Sequence, residues 1–133
     1  MTAHGAASYT FVVLPLRLAV CTLPPDAPLP GWATSGPFFS ITRTDEELSV
    51  ICPEDQAPAE VKGERNWVCL KVQGPFDFTV TGVLAALASP LAAAGIPCLA
   101  IAAYETDYLL VKTDRLADAL AALRDAGHFD FRI

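Results

Sequence analysis

The chain has 133 residues, enough for one domain or two small subdomains sharing a core. Hydrophobic residues make up 53% and charged residues 18%, a balance that excludes a disordered chain. The formal net charge is -6 and the nine Lys and Arg residues are scattered, so nucleic acid is set aside as a partner.

The N-terminal stretch "MTAHGAASYT" lacks the basic start and apolar core of a secretory signal, which sets the expectation of a cytoplasmic protein. "YTFVVLPLRLAVCTL" follows and reads as strand, with Pro15 dividing it in two or marking a sheet edge. "PPDAPLPGWATSG" holds four prolines and is expected to be a rigid, extended loop with room for one helical turn. From Phe38 to Cys52 the pattern is strand, acidic turn, strand, a hairpin. "DQAPAEVKGERN" is a polar connection that can hold a short helix.

The second half is more regular. "WVCLKVQ" is a strand. "TVTGVLAALASPLAAAG" is a helix with Val83, Leu84, Leu87 and Leu91 on one face. Thr79 or Thr81 can cap its start and Gly95 can end it. Pro90 removes the bond to the carbonyl of Ala86, so a kink is expected there. "IPCLAIAAY" and "DYLLVKT" are strands joined at Glu105-Thr106. "DRLADALAALRDAG" is a second helix with Leu116, Leu120 and Leu123 inward, Asp114 near its start and Gly127 at its end. "HFDFRI" is a last strand, giving the order βαββαβ. The hairpins from Phe39 and Leu99 line up at an offset of 60, with Thr44-Asp45-Glu46-Glu47 on Tyr104-Glu105-Thr106-Asp107. Chance similarity of two hairpins and a true internal repeat both fit.

No charged residue lies between Phe78 and Tyr104, a run long enough for a membrane span. Pro90, Gly95 and Pro97 interrupt it, so a buried helix followed by a buried strand explains it better, and no membrane partner is expected. Cys21, Cys52, Cys69 and Cys98 lie far apart in or beside apolar runs, without a C-x-x-C pair. They read as reduced, buried small hydrophobes; a disulfide framework is the weaker alternative.

The βαββαβ order and "GPFDFTVTGVLAALASPLAAAGIPCLAIAAYETDYLLV" together resemble an ACT domain. More narrowly, with "LAVCTLPPDAPLPGWA" and "FFSITRTDEELSVIC", nearly the whole chain is similar to bacterial two-subdomain ACT proteins related to the CASTOR-type arginine sensors. The resemblance implies an α+β, ferredoxin-like ACT domain at residues 65–133, preceded by a degenerate ACT-like subdomain at 9–64, with antiparallel sheets and helices on one face. ACT domains are non-catalytic regulatory modules that bind amino acids at the first strand–helix loop and neighbouring strand edges. Here the matching positions are the loop Phe76, Asp77, Phe78, Thr79, Val80 and Thr81, and the turn around Tyr104 and Asp107.

These residue types suit a small zwitterion. Unpaired N–H groups near Val80 to Gly82 can receive a carboxylate, and Thr79 and Thr81 add hydroxyls. Asp77 and Asp107 can accept from an ammonium or guanidinium. Phe76, Phe78 and Tyr104 can form apolar walls or a cation–π face. Each residue also has a plainer role. Asp77 can complement the helix dipole, Asp107 can shape a turn, the threonines can cap, and the phenylalanines can anchor the core.

Enzyme patterns are missing from the sequence. The only histidines, His4 and His128, have no metal-binding spacing, and there is no nucleophile elbow or phosphate-binding glycine pattern. A cysteine nucleophile with His128 is the residual enzyme reading. The expectation is therefore an amino-acid-binding regulatory homodimer without cofactor or metal, its exposed sheet edges favouring side-by-side pairing. The alternative is a ligand-free interaction module.

Overall fold

The computed structural model describes residues 8–73 and 82–131. Its elements are β1 (Thr10–Leu23), β2 (Ser40–Arg43), β3 (Leu48–Pro53), β4 (Gly63–Val72), α1 (Val83–Ala93), β5 (Leu99–Ala102), β6 (Asp107–Lys112), α2 (Leu116–Asp125) and β7 (Phe129–Phe131). Short 3-10 turns lie at Gly31–Thr34 and Thr113–Arg115. The chain divides into two compact units, one formed by Met1–Leu14 with Val68–Ile133 and the other by Pro15–Trp67. The first strand is thus apportioned differently from the 9–64 and 65–133 division, because Thr10–Leu14 belongs with the C-terminal half.

The expected break at Pro15 does not occur, since β1 is one strand of 14 residues. Its pairing explains why proline is tolerated. Thr10–Val12 pairs in parallel with Phe129–Phe131, and Leu18–Leu23 pairs antiparallel with Pro53–Leu48. Pro15 falls between the two ladders, where its missing N–H removes no bond from either.

In the first unit β5 and β6 form an antiparallel hairpin, Leu99↔Leu110 to Ala102↔Asp107. β6 neighbours β4, which neighbours β1. This is the α+β architecture expected of βαββαβ, with β1 as an added strand that β7 joins in parallel. The core gathers Phe11, Leu70 and Val72 from strands, Val83, Leu87 and Leu91 from α1, Leu109 and Val111 from β6, and Leu120 and Leu123 from α2. Leu84 and Leu116 pack partly buried against it. Both helices end in the same way. Ile96 N–H donates to Leu91 C=O and Gly95 N–H to Ala92 C=O; His128 N–H donates to Leu123 C=O and Gly127 N–H to Arg124 C=O. These are Schellman motifs, with Gly95 (φ 72°) and Gly127 (φ 94°) in the left-handed conformation they demand.

The second motif delivers His128 to its place. Pro90 has no N–H, so the Ala86 carbonyl loses its helical partner. His128 Nε2 lies 2.9 Å from that carbonyl, and Tyr9 N–H donates to His128 Nδ1 at 3.1 Å. Since Nδ1 accepts, the neutral ring carries its proton on Nε2 and donates to Ala86. The ring is 2% exposed and stacks on Tyr9 at 5.7 Å between centroids.

In the second unit β3 lies between β1 and β2, with Ser40↔Ile51 to Arg43↔Leu48 setting the hairpin. Its core is Ala19, Cys21, Ala33, Leu48, Val50, Cys52 and Ala57. Between Asp55 and Lys62 the chain makes turns, not the short helix the sequence allows. Arg65 satisfies the backbone there instead, donating to the carbonyls of Glu54, Ala57 and Pro58. Arg43 likewise holds the proline-rich loop through the carbonyls of Pro25 and Ala27.

The two hairpins carry the same turn. Thr44 N–H donates to Glu47 C=O at 2.9 Å, and Ala103 N–H to Thr106 C=O at 3.0 Å. The ladders begin at Arg43↔Leu48 and Ala102↔Asp107. The two turns have the same backbone form, but Thr44 matches Ala103, so the structural offset is one residue shorter than the sequence alignment suggests. The acidic pattern of the turns misleads by one position because solvent-facing charges carry no register information, whereas the ladder bonds do.

All four cysteines are free thiols; Cys21, Cys52 and Cys69 are buried and Cys98 is half-buried. Burial pushes the Cys69 thiol up to about 12 and the Cys52 thiol up to about 11.

Two predictions follow from these packing features. His128→Phe strands the Ala86 carbonyl and the Tyr9 N–H, and urea unfolding should show a loss of about 2–4 kcal/mol. A thiol raised on folding stabilises fully below its unfolded pKa and ceases to do so as pH rises through the folded one. Stability should therefore decline between pH 9.0 and about 12, and Cys69→Ala, followed by urea unfolding across that range, should flatten part of the decline.

Candidate functional site

The expected site combines a strand–helix loop with a hairpin turn. Of its residues, Phe76, Asp77, Phe78, Thr79, Val80 and Thr81 lie outside the described residues. Tyr104 and Asp107 lie inside them, as do both ends of the loop: Gln73 after β4 and Gly82 before α1.

These ends bound the expected site. β4 neighbours β6, and the Thr106 hydroxyl donates to the carbonyl of Val72, the last residue of β4. Thr106 is 8% exposed, so this polar contact is made in a dry setting. Gln73 N–H donates to Thr10 C=O at 2.8 Å, holding the end of β4 from another strand. The chain therefore leaves β4 for the loop beside the turn that carries Tyr104 and Asp107.

Thr106 went unremarked as a site-forming residue in the sequence, where it stands only as a turn position. A β-branched hydroxyl residue between two acids gives little sign that it will be buried.

Asp107 is the first residue of β6, opposite Ala102, and is partly exposed. Its plainer role, shaping the turn, fits poorly. The turn closes through the backbone of Ala103 and Thr106, and the Asp107 side chain makes no hydrogen bond or ion pair with a described residue. In the other hairpin the matching position is Leu48, which is fully buried. There Thr44 Oγ1 accepts from the N–H groups of Glu46 and Glu47, so a side chain does reinforce that turn. Tyr104 is 77% exposed at the tip of its own turn.

Across the loop, the N-cap of α1 is Gly82, at φ 82°, which has no side chain to cap with; the threonines expected to cap, Thr79 and Thr81, lie outside the described residues. The first helical bond runs from Ala86 N–H to Gly82 C=O at 2.9 Å. The N–H groups of Val83 to Ala85 precede that bond and face the loop end of the helix, where the dipole is positive.

Among the described residues no three His, Cys, Asp or Glu side chains group to hold a metal ion, and no helix is long and apolar enough to cross a membrane. His128, the histidine of the residual cysteine–histidine enzyme reading, spends both ring nitrogens on backbone groups.

Comparison with known proteins agrees with this geometry. A family model of the ACT domain matches residues 62–125, and a model of an N-terminal domain matches residues 17–60. A crystal structure of an Agobacterium tumefaciens protein is 35% identical, with a TM-score of 0.90, over 96% of this chain and 95% of that one. A Vibrio cholerae protein of unknown function, described as a possible transport protein, is 22% identical, with a TM-score of 0.72, over 90% of each chain. The ligand-free regulatory subunit of aspartate kinase from Thermus thermophilus is 14% identical, with a TM-score of 0.61, over 92% of this chain and 99% of that one. The comparison with curated proteins gives no match. The class is α+β with a ferredoxin-like unit, and residues 62–125 match the ACT domain.

The Thr106 contact can be checked directly. Thr106→Val keeps the side-chain shape but leaves the Val72 carbonyl without its donor, and should cost about 1–2 kcal/mol in chemical denaturation. Asp107→Asn should leave the unfolding midpoint within error of the parent.

Proposed function

We propose that this ACT protein is a non-catalytic regulator that binds an amino acid or similar small zwitterion at the β4–α1 corner. The observation that carries the reading is the unengaged Asp107 side chain at the start of β6, beside the exit of β4, from which the chain goes on to a helix whose N-cap is Gly82. A carboxylate suits the helix N-terminus, and Asp107 suits an ammonium or guanidinium. Phe76, Asp77, Phe78, Thr79, Val80 and Thr81 would close the site from the loop, and Tyr104 would cover the cationic end.

The similarity to regulatory subunits of aspartate kinase supports a regulatory role through the shared fold. The resemblance to CASTOR-type sensors puts arginine first among the ligands to try. The like hairpin turns support two ACT-related subdomains, with Thr10–Leu14 counted with the C-terminal one.

Edge strand β5 leaves Leu99, Ala100 and Ala102 exposed. An apolar edge of this kind supports pairing with a second copy as a homodimer. It equally favours the second reading, an interaction module that needs no ligand.

A thermal-shift series with the twenty amino acids separates the two. A ligand bound only by the native state raises the melting temperature once its concentration exceeds Kd. The expected result is a rise with one or a few amino acids, arginine first, and its loss in Asp107→Ala with an unchanged ligand-free midpoint. A rise that Asp107→Ala retains in full would displace the site; no rise at millimolar concentrations would favour the interaction module.

A further inference from the structure

The second unit holds a groove of about 490 Å³ that the reading above does not use. It is lined by residues of that unit alone, where the middle of β1, the turn after β3 and the Gly36–Pro37 segment come together. Its walls are Pro15, Leu16, Pro37 and Pro53. Proline rings on a restricted backbone give a surface that loses little entropy when a ligand settles on it. Gly36 fixes one wall: a Cβ there would meet Pro53 Cγ at 2.7 Å, so the close approach depends on the missing side chain.

The polar groups of the groove are of two kinds. Arg17 and Asp55 are exposed, and neither side chain makes a hydrogen bond or ion pair with a described residue. Glu54 has one oxygen engaged, its Oε1 accepting from Asn66 N–H at 2.9 Å. Part of the backbone is also spent, with Glu54 N–H donating to Arg17 C=O at 3.0 Å. The groove offers a ligand the Arg17 guanidinium, the Asp55 carboxylate, the second oxygen of Glu54 and the Gln56 amide, beside apolar walls.

We infer that this groove binds a dipeptide-sized zwitterion with an apolar body. Arg17 would take its carboxylate and Asp55 its ammonium, and Gln56 can both donate to and accept from a peptide group between them. A groove of this volume is in the range of small-molecule sites and is roomier than a single amino acid requires. Opposite charges lining one groove suit a molecule that itself carries both a carboxylate and an ammonium. A free anion would meet Asp55, and a free cation would meet Arg17.

The test is calorimetric titration of the full chain with leucyl-leucine and with leucyl-leucine amide, which lacks the carboxylate. Leucyl-leucine should bind the parent, and Arg17→Gln and Asp55→Asn should each weaken it by about tenfold or more. The amide should bind the parent about as weakly as leucyl-leucine binds Arg17→Gln, and Arg17→Gln should not weaken the amide further. Thermal midpoints equal to the parent's will exclude unfolding, as expected for exposed side chains. No heat at millimolar leucyl-leucine, equal binding of acid and amide, or equal binding by all three proteins would overturn the inference. The amino-acid shift that depends on Asp107 should be intact in Arg17→Gln, so failure here and failure of the β4–α1 site are distinguishable.

Discussion

Pro90 deletes one hydrogen bond from α1, and the replacement of that bond organises much of the first unit. The Ala86 carbonyl would be a buried acceptor without a donor, at a cost comparable to the bond itself. A water could serve only if the core admitted one. The fold instead ends α2 in a Schellman turn whose following residue is His128, and the ring reaches the carbonyl at 2.9 Å. Its other nitrogen takes the Tyr9 N–H just before β1 begins. One side chain thereby ties a helix interior, a helix end and a strand entry, three segments far apart in sequence. A proline that would weaken an isolated helix has become the reason for a tertiary contact.

The same logic of satisfied backbone separates the two hairpins. Both close their turns with one backbone bond, yet the residues around that bond differ in use. In the second unit Thr44 reinforces the turn and Leu48 enters the core. In the first unit Ala103 has nothing to contribute, so Thr106 takes the structural part by bonding to Val72, and the position equivalent to Leu48 carries Asp107. A carboxylate there forgoes the burial that leucine obtains, worth roughly 2 kcal/mol for a full side chain. Stability gives no reason for that exchange; the ligand proposed for this corner, with its cationic end, would.

Much of this fold could be read from the chain. The leucine spacing of α1 and α2 found the buried faces, and Gly95 and Gly127 found both helix ends, because a left-handed residue has few alternatives to glycine. The strands of the βαββαβ order emerged from apolar runs between turn residues. What escaped were facts of pairing. Nothing local says that β1 changes partner around Pro15, or that Thr10–Leu14 joins the C-terminal half. The turn alignment failed by one residue for the same reason, since Thr44-Asp45-Glu46-Glu47 and its counterpart look alike in composition and differ in register. At the site, Asp107 was legible as a charge at a turn, whereas the burial of Thr106 was not, because its partner is a backbone carbonyl supplied by another strand.

The distribution of commitments is what distinguishes structure from function in this chain. Arg43 and Arg65 are occupied by the carbonyls of helix-poor loops, Arg124 pairs with Asp130 at 3.1 Å, and His128 has both nitrogens bonded. These groups are paired because the fold needs them, and they are poor candidates for recognition whatever their chemistry. Asp107, Arg17 and Asp55 are the contrasting case. Each stands at a strand end or a groove wall, and none of the three side chains makes a hydrogen bond or ion pair with a described residue. An isolated surface charge needs no explanation, since water solvates it. Asp107 stands instead where the repeat places a core leucine, and Arg17 and Asp55 flank one apolar groove. The positions, more than the charges, make these the places where a small charged molecule would be read.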